Sequence, residues 1–163
     1  MHPRFAKFTS RISNPVLYRL FLLEKLPLVY FTGIRIRHLD ETSCITTVRY
    51  SWINRNPFKS MYFAVMQMAA ELSTGTLCMG KRYQSDANIS MLVVKTSGEY
   101  YRKATGRVYF TCKDGAMIEA MISAALNGDG PCVAECSSDA TNENGEIIAT
   151  FRITWSFKRR SAA

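Results

Sequence analysis

Between Lys59 and Lys81 the sequence carries one charged side chain, Glu71. The stretch from Phe58 to Met79 is rich in Met, Ala and Phe, has no proline after Pro57, and reads as the longest helix of the chain. Its apolar residues fall on all sides, which marks a buried helix. A carboxylate there is costly unless it is paired or put to use. The helical neighbours Gln67, Met68 and Gly75 offer no cation, so no ion pair forms within the helix. Desolvation raises such a carboxyl's pKa and suits it to general-base work. The alternative is a structural carboxylate bonded to backbone or to an arginine of a neighbouring strand. Asn56-Pro57 reads as N-cap and first residue of the same helix. Free N–H groups from Lys59 to Phe63, at the positive end of the helix dipole, could hold a carbonyl oxygen or a phosphate. Tyr62 and Glu71 are ~13 Å apart along a helix rising 1.5 Å per residue. A base and an oxyanion hole must both reach a reacting group ~3 Å away. One copy of this helix cannot supply both, whereas two antiparallel copies can. An enzyme built on it is expected to be a dimer with shared sites.

The remaining elements must hold this helix. Residues 1–13 are basic and weakly patterned and read as a loose N-terminal arm, followed by a single domain over 14–163. Asn14-Pro15 opens a helix through Leu17, Leu20, Phe21 and Glu24 that stops before Pro27. Ile34 and Ile36 alternate with Arg35 and Arg37, and a second strand runs from Cys44 to Ser51, so the pair looks like a hairpin. Gly75 and Gly80 suggest where the long helix weakens and ends. Strands are expected at Ile89–Lys95 and at Arg107–Cys112, where Val108, Phe110 and Cys112 point inward. Ala116 to Leu126 reads as a short helix closed by Asn127-Gly128. Cys132–Ser138 is a strand, Asn144-Gly145 a hairpin turn, and Ile147 to Phe157 the clearest strand. Strands segregated around one buried helix indicate an α+β fold, an antiparallel sheet wrapped on that helix.

Composition sets outer limits. The 163 residues suit one domain, and 47% apolar residues suffice for a core. The net charge of +8 fits a nucleic acid, an acidic membrane or a phosphorylated cofactor alike. No recognised nucleic-acid motif is present. Most of the excess lies at the ends: residues 1–38 hold seven Lys or Arg against Glu24 alone, a net of +6, and Lys158, Arg159 and Arg160 close the last strand. A membrane span is not expected, since Val16 to Tyr30 contains Arg19, Glu24, Lys25 and Pro27. The same interruptions argue against a secretory signal. The five cysteines lack paired spacing and read as reduced thiols of a cytoplasmic protein, with no metal site.

The order of elements resembles the hot-dog fold. More narrowly, Asn56 to Glu71 resembles the acyl-CoA thioesterases of the phenylacetyl-CoA thioesterase type. Their motif has an Asn, a His six residues later followed by two glycines, then an acidic residue seven after the second glycine. Asn56 takes the Asn position, Tyr62 the His, Phe63 and Ala64 the glycines, and Glu71 the catalytic acid. The loop Tyr101 to Gly106 and the hairpin at Asn144-Gly145 match as well. The short helix at Ala116 to Leu126 and the closing Trp155 resemble an uncharacterised branch of this superfamily, known as a domain of unknown function.

The resemblance implies hydrolysis of an acyl-CoA or acyl-carrier thioester. Glu71 would activate water or attack directly. N–H groups near Phe63 and Ala64 would polarise the carbonyl, and Asn56 would orient water or the thioester. Tyr62 could donate a hydrogen bond where the family has His, but a phenol is a poor base at neutral pH. Arg102 and Lys103 would meet the phosphates of coenzyme A. The chain would work as a homodimer, or a dimer of dimers, with no cofactor beyond the coenzyme A of the substrate. Phe63 and Ala64 carry side chains where the family has glycines, which favours a second reading, a non-catalytic acyl-CoA-binding protein on the same fold. Met61, Met66 and Met68 read as core or as the lining of an acyl tunnel.

Overall fold

A computed structural model of the chain describes residues 1–86, 88–128 and 130–160. The segment expected to be a loose arm is helix α1 (Pro3–Ser13). Phe5, Phe8 and Ile12 recur at helical spacing and pack on the core, Phe5 fully buried. The arm folds because this apolar face has a place to go: the Phe5 ring occupies the space that a side chain at Gly80 would fill.

Helix α2 (Pro15–Lys25) begins as expected, with Asn14 Oδ1 accepting from the Val16 and Leu17 N–H groups at 3.1 Å. A short helix not anticipated, α3 (Pro27–Thr32), follows at once and ends on Gly33 with φ +77°. Strands β1 (Arg35–Leu39) and β2 (Cys44–Arg49) form the expected hairpin. Its turn is held by Asp40, whose Oδ1 accepts from the N–H groups of Thr42 and Ser43 at 2.8 Å. A 3-10 turn, Trp52–Asn54, then leads toward the long helix.

That helix, α4, spans Phe63–Ser85. It starts later and runs further than the pattern suggests, and Asn56 is not its N-cap. Residues 56–61 form a loop instead. Asn56 Oδ1 accepts from Phe58 N–H at 2.9 Å and Ser60 N–H at 3.2 Å, and Lys59 has φ +58°, outside the helical region. Met61 N–H bonds to Ala104 O and Tyr62 N–H to Asn54 O, both at 2.8 Å, so the chain is tied to its neighbours before the helix begins. The glycines do not end it either. Each is a point of close approach, Gly80 to the Phe5 ring and Gly75 to the Trp155 ring. Asp86, with φ +56°, terminates the helix.

The other elements are β3 (Ile89–Tyr100), β4 (Arg107–Cys112), α5 (Gly115–Asn127), β5 (Cys132–Thr141) and β6 (Ile147–Arg159). Among the described residues they complete a six-stranded antiparallel sheet in the order β1-β2-β4-β5-β6-β3. Helix α4 packs on β2, β4, β5 and β6, and α5 lies beside it on β5 and β6. Buried polar bonds set the helix's rotation: Thr46 Oγ1–H to Ala69 O at 2.7 Å, Ser73 to Ser138 at 2.8 Å, and Trp155 Nε1–H to Thr74 Oγ1 at 3.0 Å. Strand β6 alternates as read from Phe151 to Phe157. Ile148 and Ala149 are both buried, because a bulge opposite Ala140 and Thr141 shifts the register. All five cysteines are unbridged and four are buried; burial pushes the Cys44 thiol up. Among the described residues no helix is long and apolar enough to cross a membrane.

Candidate active site

Glu71 lies on the third turn of α4 and is half-buried. One carboxylate oxygen sits over Gly75, 3.1 Å from where a Cβ would be, beside the Trp155 ring. No ion pair or side-chain hydrogen bond reaches it among the described residues. The structural alternative, a bond to a strand arginine, is therefore absent from the described residues. Burial raises its pKa above the ordinary carboxylate range. A cavity of about 380 Å³ opens beside it, walled by Leu26, Met79, Met91 and Trp155, with Arg82 and Arg160 also in its lining but not bonded to Glu71.

A second cavity, about 560 Å³, lies at the start of α4. Asn56, Tyr62, Phe63, Arg102 and Lys103 all line it. The N–H groups of Phe63 and Ala64 have no partner among the described residues. Both belong to the first turn of α4, whose N-cap Tyr62 makes no side-chain cap bond. Two adjacent unpaired donors at a helix start are suited to an oxyanion. The expected donor set narrows accordingly: Met61 and Tyr62 N–H groups are spent on backbone carbonyls.

The other residues are placed as follows. Asn56 is committed to its own loop, since its Nδ2–H group donates to Ser60 Oγ at 3.1 Å and Met61 O at 3.4 Å. The Tyr62 ring packs edge-on against Phe63, and Phe63 packs edge-on against Tyr100. Arg102 pairs with Glu146 at 2.9 Å and Lys103 reaches Phe58 O at 3.3 Å; both are exposed at the rim. Met61 and Met66 are buried in the core and touch the second cavity, while Met68 is partly buried. Sequence reading missed Tyr100 and Trp155 as walls of the two cavities. They come from β3 and β6, far from the motif in the chain, and no local spacing announces them.

Within one chain the structure thus gathers Asn56, Tyr62, Phe63, Arg102 and Lys103 around one cavity, whose lining does not include Ala64, and leaves Glu71 in another. From Phe63 to Glu71 is ~12 Å along the helix axis. Among the described residues no group of three or more His, Cys, Asp or Glu is placed to hold a metal ion.

Residues 16–157 match the sequence profile of DUF4442, a domain of unknown function. The chain belongs to this family. No curated protein matches the DUF4442 chain by sequence. Its architecture recurs in solved structures. One, from Pseudomonas aeruginosa, is a protein of unknown function named as a probable thioesterase, with 19% identity, TM-score 0.73 and coverage of 90% of this chain and 97% of that one. A mutant thioesterase from the same species has 16% identity, TM-score 0.65 and coverage of 91% and 97%. A thioesterase from Haemophilus influenzae has 16% identity, TM-score 0.63 and coverage of 86% and 88%. The DUF4442 chain has the hot-dog fold, α+β, with its sheet wrapped on α4.

Proposed function

We propose that this DUF4442 chain hydrolyses acyl-CoA or acyl-carrier thioesters as a homodimer, each site drawing on both protomers. One observation carries the reading. Among the described residues a single helix bears a half-buried carboxylate without a partner and, ~12 Å away, a pair of unpaired N–H groups; Glu71 lines one cavity and Phe63 the other. Antiparallel copies of α4 would bring Glu71 of one protomer to Phe63 and Ala64 of the other. Strand β3 supports association: it is a twelve-residue edge strand, paired on one side only, with Leu92 and Val94 exposed. An exposed, unpaired strand edge is a template for pairing with another chain. The relatives named as thioesterases add weight to the chemistry.

In this reading Glu71 takes a proton from water as the water oxygen adds to the thioester carbon. The carbonyl oxygen becomes an oxyanion held by the Phe63 and Ala64 N–H groups. The C–S bond then breaks, the proton passes from Glu71 to the leaving sulfur, and a carboxylic acid and a thiol depart. Asn56 acts as a positioning residue, fixing the loop that presents Tyr62 and Phe63. Arg102 and Lys103 would take coenzyme A phosphates at the rim, with Glu146 exchanged for the ligand at Arg102. The Phe63 ring against Tyr100 favours the second reading, acyl-CoA binding without turnover, because it narrows the cavity beside the donors.

Complementation between variants tests the shared site. Phe63→Pro removes one donor at a position where proline suits the helix start, and Tyr62 before it is already extended at ψ 132°. Glu71→Gln removes the base. Each variant alone should lose about 10²-fold or more in kcat on an acyl-CoA panel. Mixed, unfolded and refolded together, they should recover about a quarter of wild-type activity, through one intact site in each mixed dimer. Equal rates for wild type and Glu71→Gln would overturn the role of Glu71. Absence of recovery would overturn the shared site. Binding of acyl-CoA with no hydrolysis by the wild type would establish the second reading.

A further inference from the structure

The N-terminal helices present a surface that the proposed chemistry does not use. Helix α2 turns only Tyr18 and Leu22 toward the core. At about 100° per residue these lie on one side of the helix; Leu23, Val16, Leu20 and Leu17 fall in the opposite arc, and Phe21 lies on the flank with its ring stacked on Tyr18. All five are exposed, Leu20 at 60%. A surface helix normally points its apolar stripe inward, and α2 points it outward as well. Exposed apolar side chains continue at Leu28 and Phe31 on α3, which lies against the turn carrying Trp52, 77% exposed.

Basic side chains lie on the neighbouring helix and on α2 itself. Helix α1, packed beside α2, turns Phe5, Phe8 and Ile12 inward and leaves Arg4, Lys7 and Arg11 outward on one face, Arg4 paired with Asp86. Arg19 and Lys25 on α2 are also exposed, Lys25 paired with Glu24, which sits within the apolar arc. Residues 1–33, which carry the three helices, hold five Lys or Arg against Glu24, a net of +4. Apolar side chains on an outward helix face, with basic side chains alongside, match the boundary between headgroups and acyl chains of an anionic bilayer.

We propose that this face docks the protein on an anionic lipid surface, with α2 lying in the plane of the interface. A second copy of the chain is a poorer occupant, because it would set one strongly basic segment against an identical one. A polynucleotide would leave the apolar arc without an apolar partner. Leu26, at the end of α2, also lines the Glu71 cavity, so the docked face adjoins that cavity. The proposal stands on the surface alone and does not require hydrolysis.

Flotation of the full chain with vesicles tests it, comparing equal parts phosphatidylglycerol and phosphatidylcholine with phosphatidylcholine alone at ~100 mM salt. The protein should float with the anionic vesicles and not with the neutral ones. Leu20→Ser/Phe21→Ser should weaken partitioning about tenfold or more, and Lys7→Glu/Arg11→Glu likewise, with unchanged thermal melting. Flotation undiminished in both double variants would overturn the proposal, as would its absence with anionic vesicles. So would a wild type that stays off vesicles while Leu20→Ser/Phe21→Ser lowers its sedimentation coefficient, which would assign the face to a second copy.

Discussion

Replacing Gly80 by alanine should destabilise the wild-type chain and stabilise a Phe5→Ala chain. In an open helix interior, glycine to alanine is worth about 1 kcal/mol in favour of alanine. At Gly80 the new methyl would run into the Phe5 ring. That ring is fully buried, with Phe8 edge-on at 6.3 Å and the Lys81 ammonium 5.8 Å from its centroid, so it cannot slide unless α1 lifts. Overpacking of this kind costs about 1–3 kcal/mol, which outweighs the propensity gain. Phe5→Ala alone should cost about 3–5 kcal/mol, the usual range for a buried phenylalanine. With the ring gone the clash is gone, and Gly80→Ala should regain about 1 kcal/mol. For a chain of this length 1 kcal/mol shifts Tm by about 2–4 °C. Thermal and denaturant unfolding of the four chains closes the double-mutant cycle. The same sign for Gly80→Ala in both backgrounds would refute the packing of α1 on α4. A Phe5→Ala chain as stable as wild type would restore the loose arm.

Glu71→Gln should raise Tm at neutral pH, by a margin that shrinks as the solution is acidified. Burial raises the carboxyl's pKa in the folded state, so the folded chain binds that proton more tightly than the unfolded one. Stability contributed by the protonated form is full at low pH and is lost as pH rises through the raised pKa. A Tm difference independent of pH contradicts this account. Asp40→Ala should destabilise the β1–β2 hairpin with the opposite pH dependence. Burial opposes ionisation of Asp40, but hydrogen bonds from Thr42, His38 and Ser43 outweigh it and hold the carboxyl well below its usual range. That stabilisation is present above the ordinary carboxylate range and lost as pH falls toward the lowered pKa, so wild type and variant should converge in strong acid. A gap that stays constant down to strong acid would rule it out.

Regular elements were legible where one periodicity dominates. Helix α2 and strand β4 keep their expected starts, because Asn14-Pro15 is a local cap and Val108, Phe110 and Cys112 alternate cleanly. Asn56-Pro57 is the same dipeptide and has a different fate. Asn56 satisfies donors of its own loop, and long-range bonds to Asn54 and Ala104 hold Met61 and Tyr62 out of the helix. Local chemistry was equal at the two sites and tertiary partners separated them. The N-terminal segment shows the same limit. Phe5, Phe8 and Ile12 have helical spacing, but the segment gains stability only from the space at Gly80, some 75 residues away.

Glu71 was conspicuous from sequence alone, since an apolar helix with one carboxylate is visible in any reading of residues 59–81. Its distance from the helix start also followed from the rise of an α-helix, and with it the expectation of a two-protomer site. Tertiary structure decided the rest. Among the described residues it left the Phe63 and Ala64 N–H groups unpaired, set Trp155 and Gly75 against the carboxylate, and walled the two cavities with residues from β3 and β6. The physical reason is range. Side-chain type and helical rise are local properties that one stretch of chain carries by itself. Whether a donor is spent or a carboxylate unpaired depends on atoms that only folding brings within 3 to 4 Å.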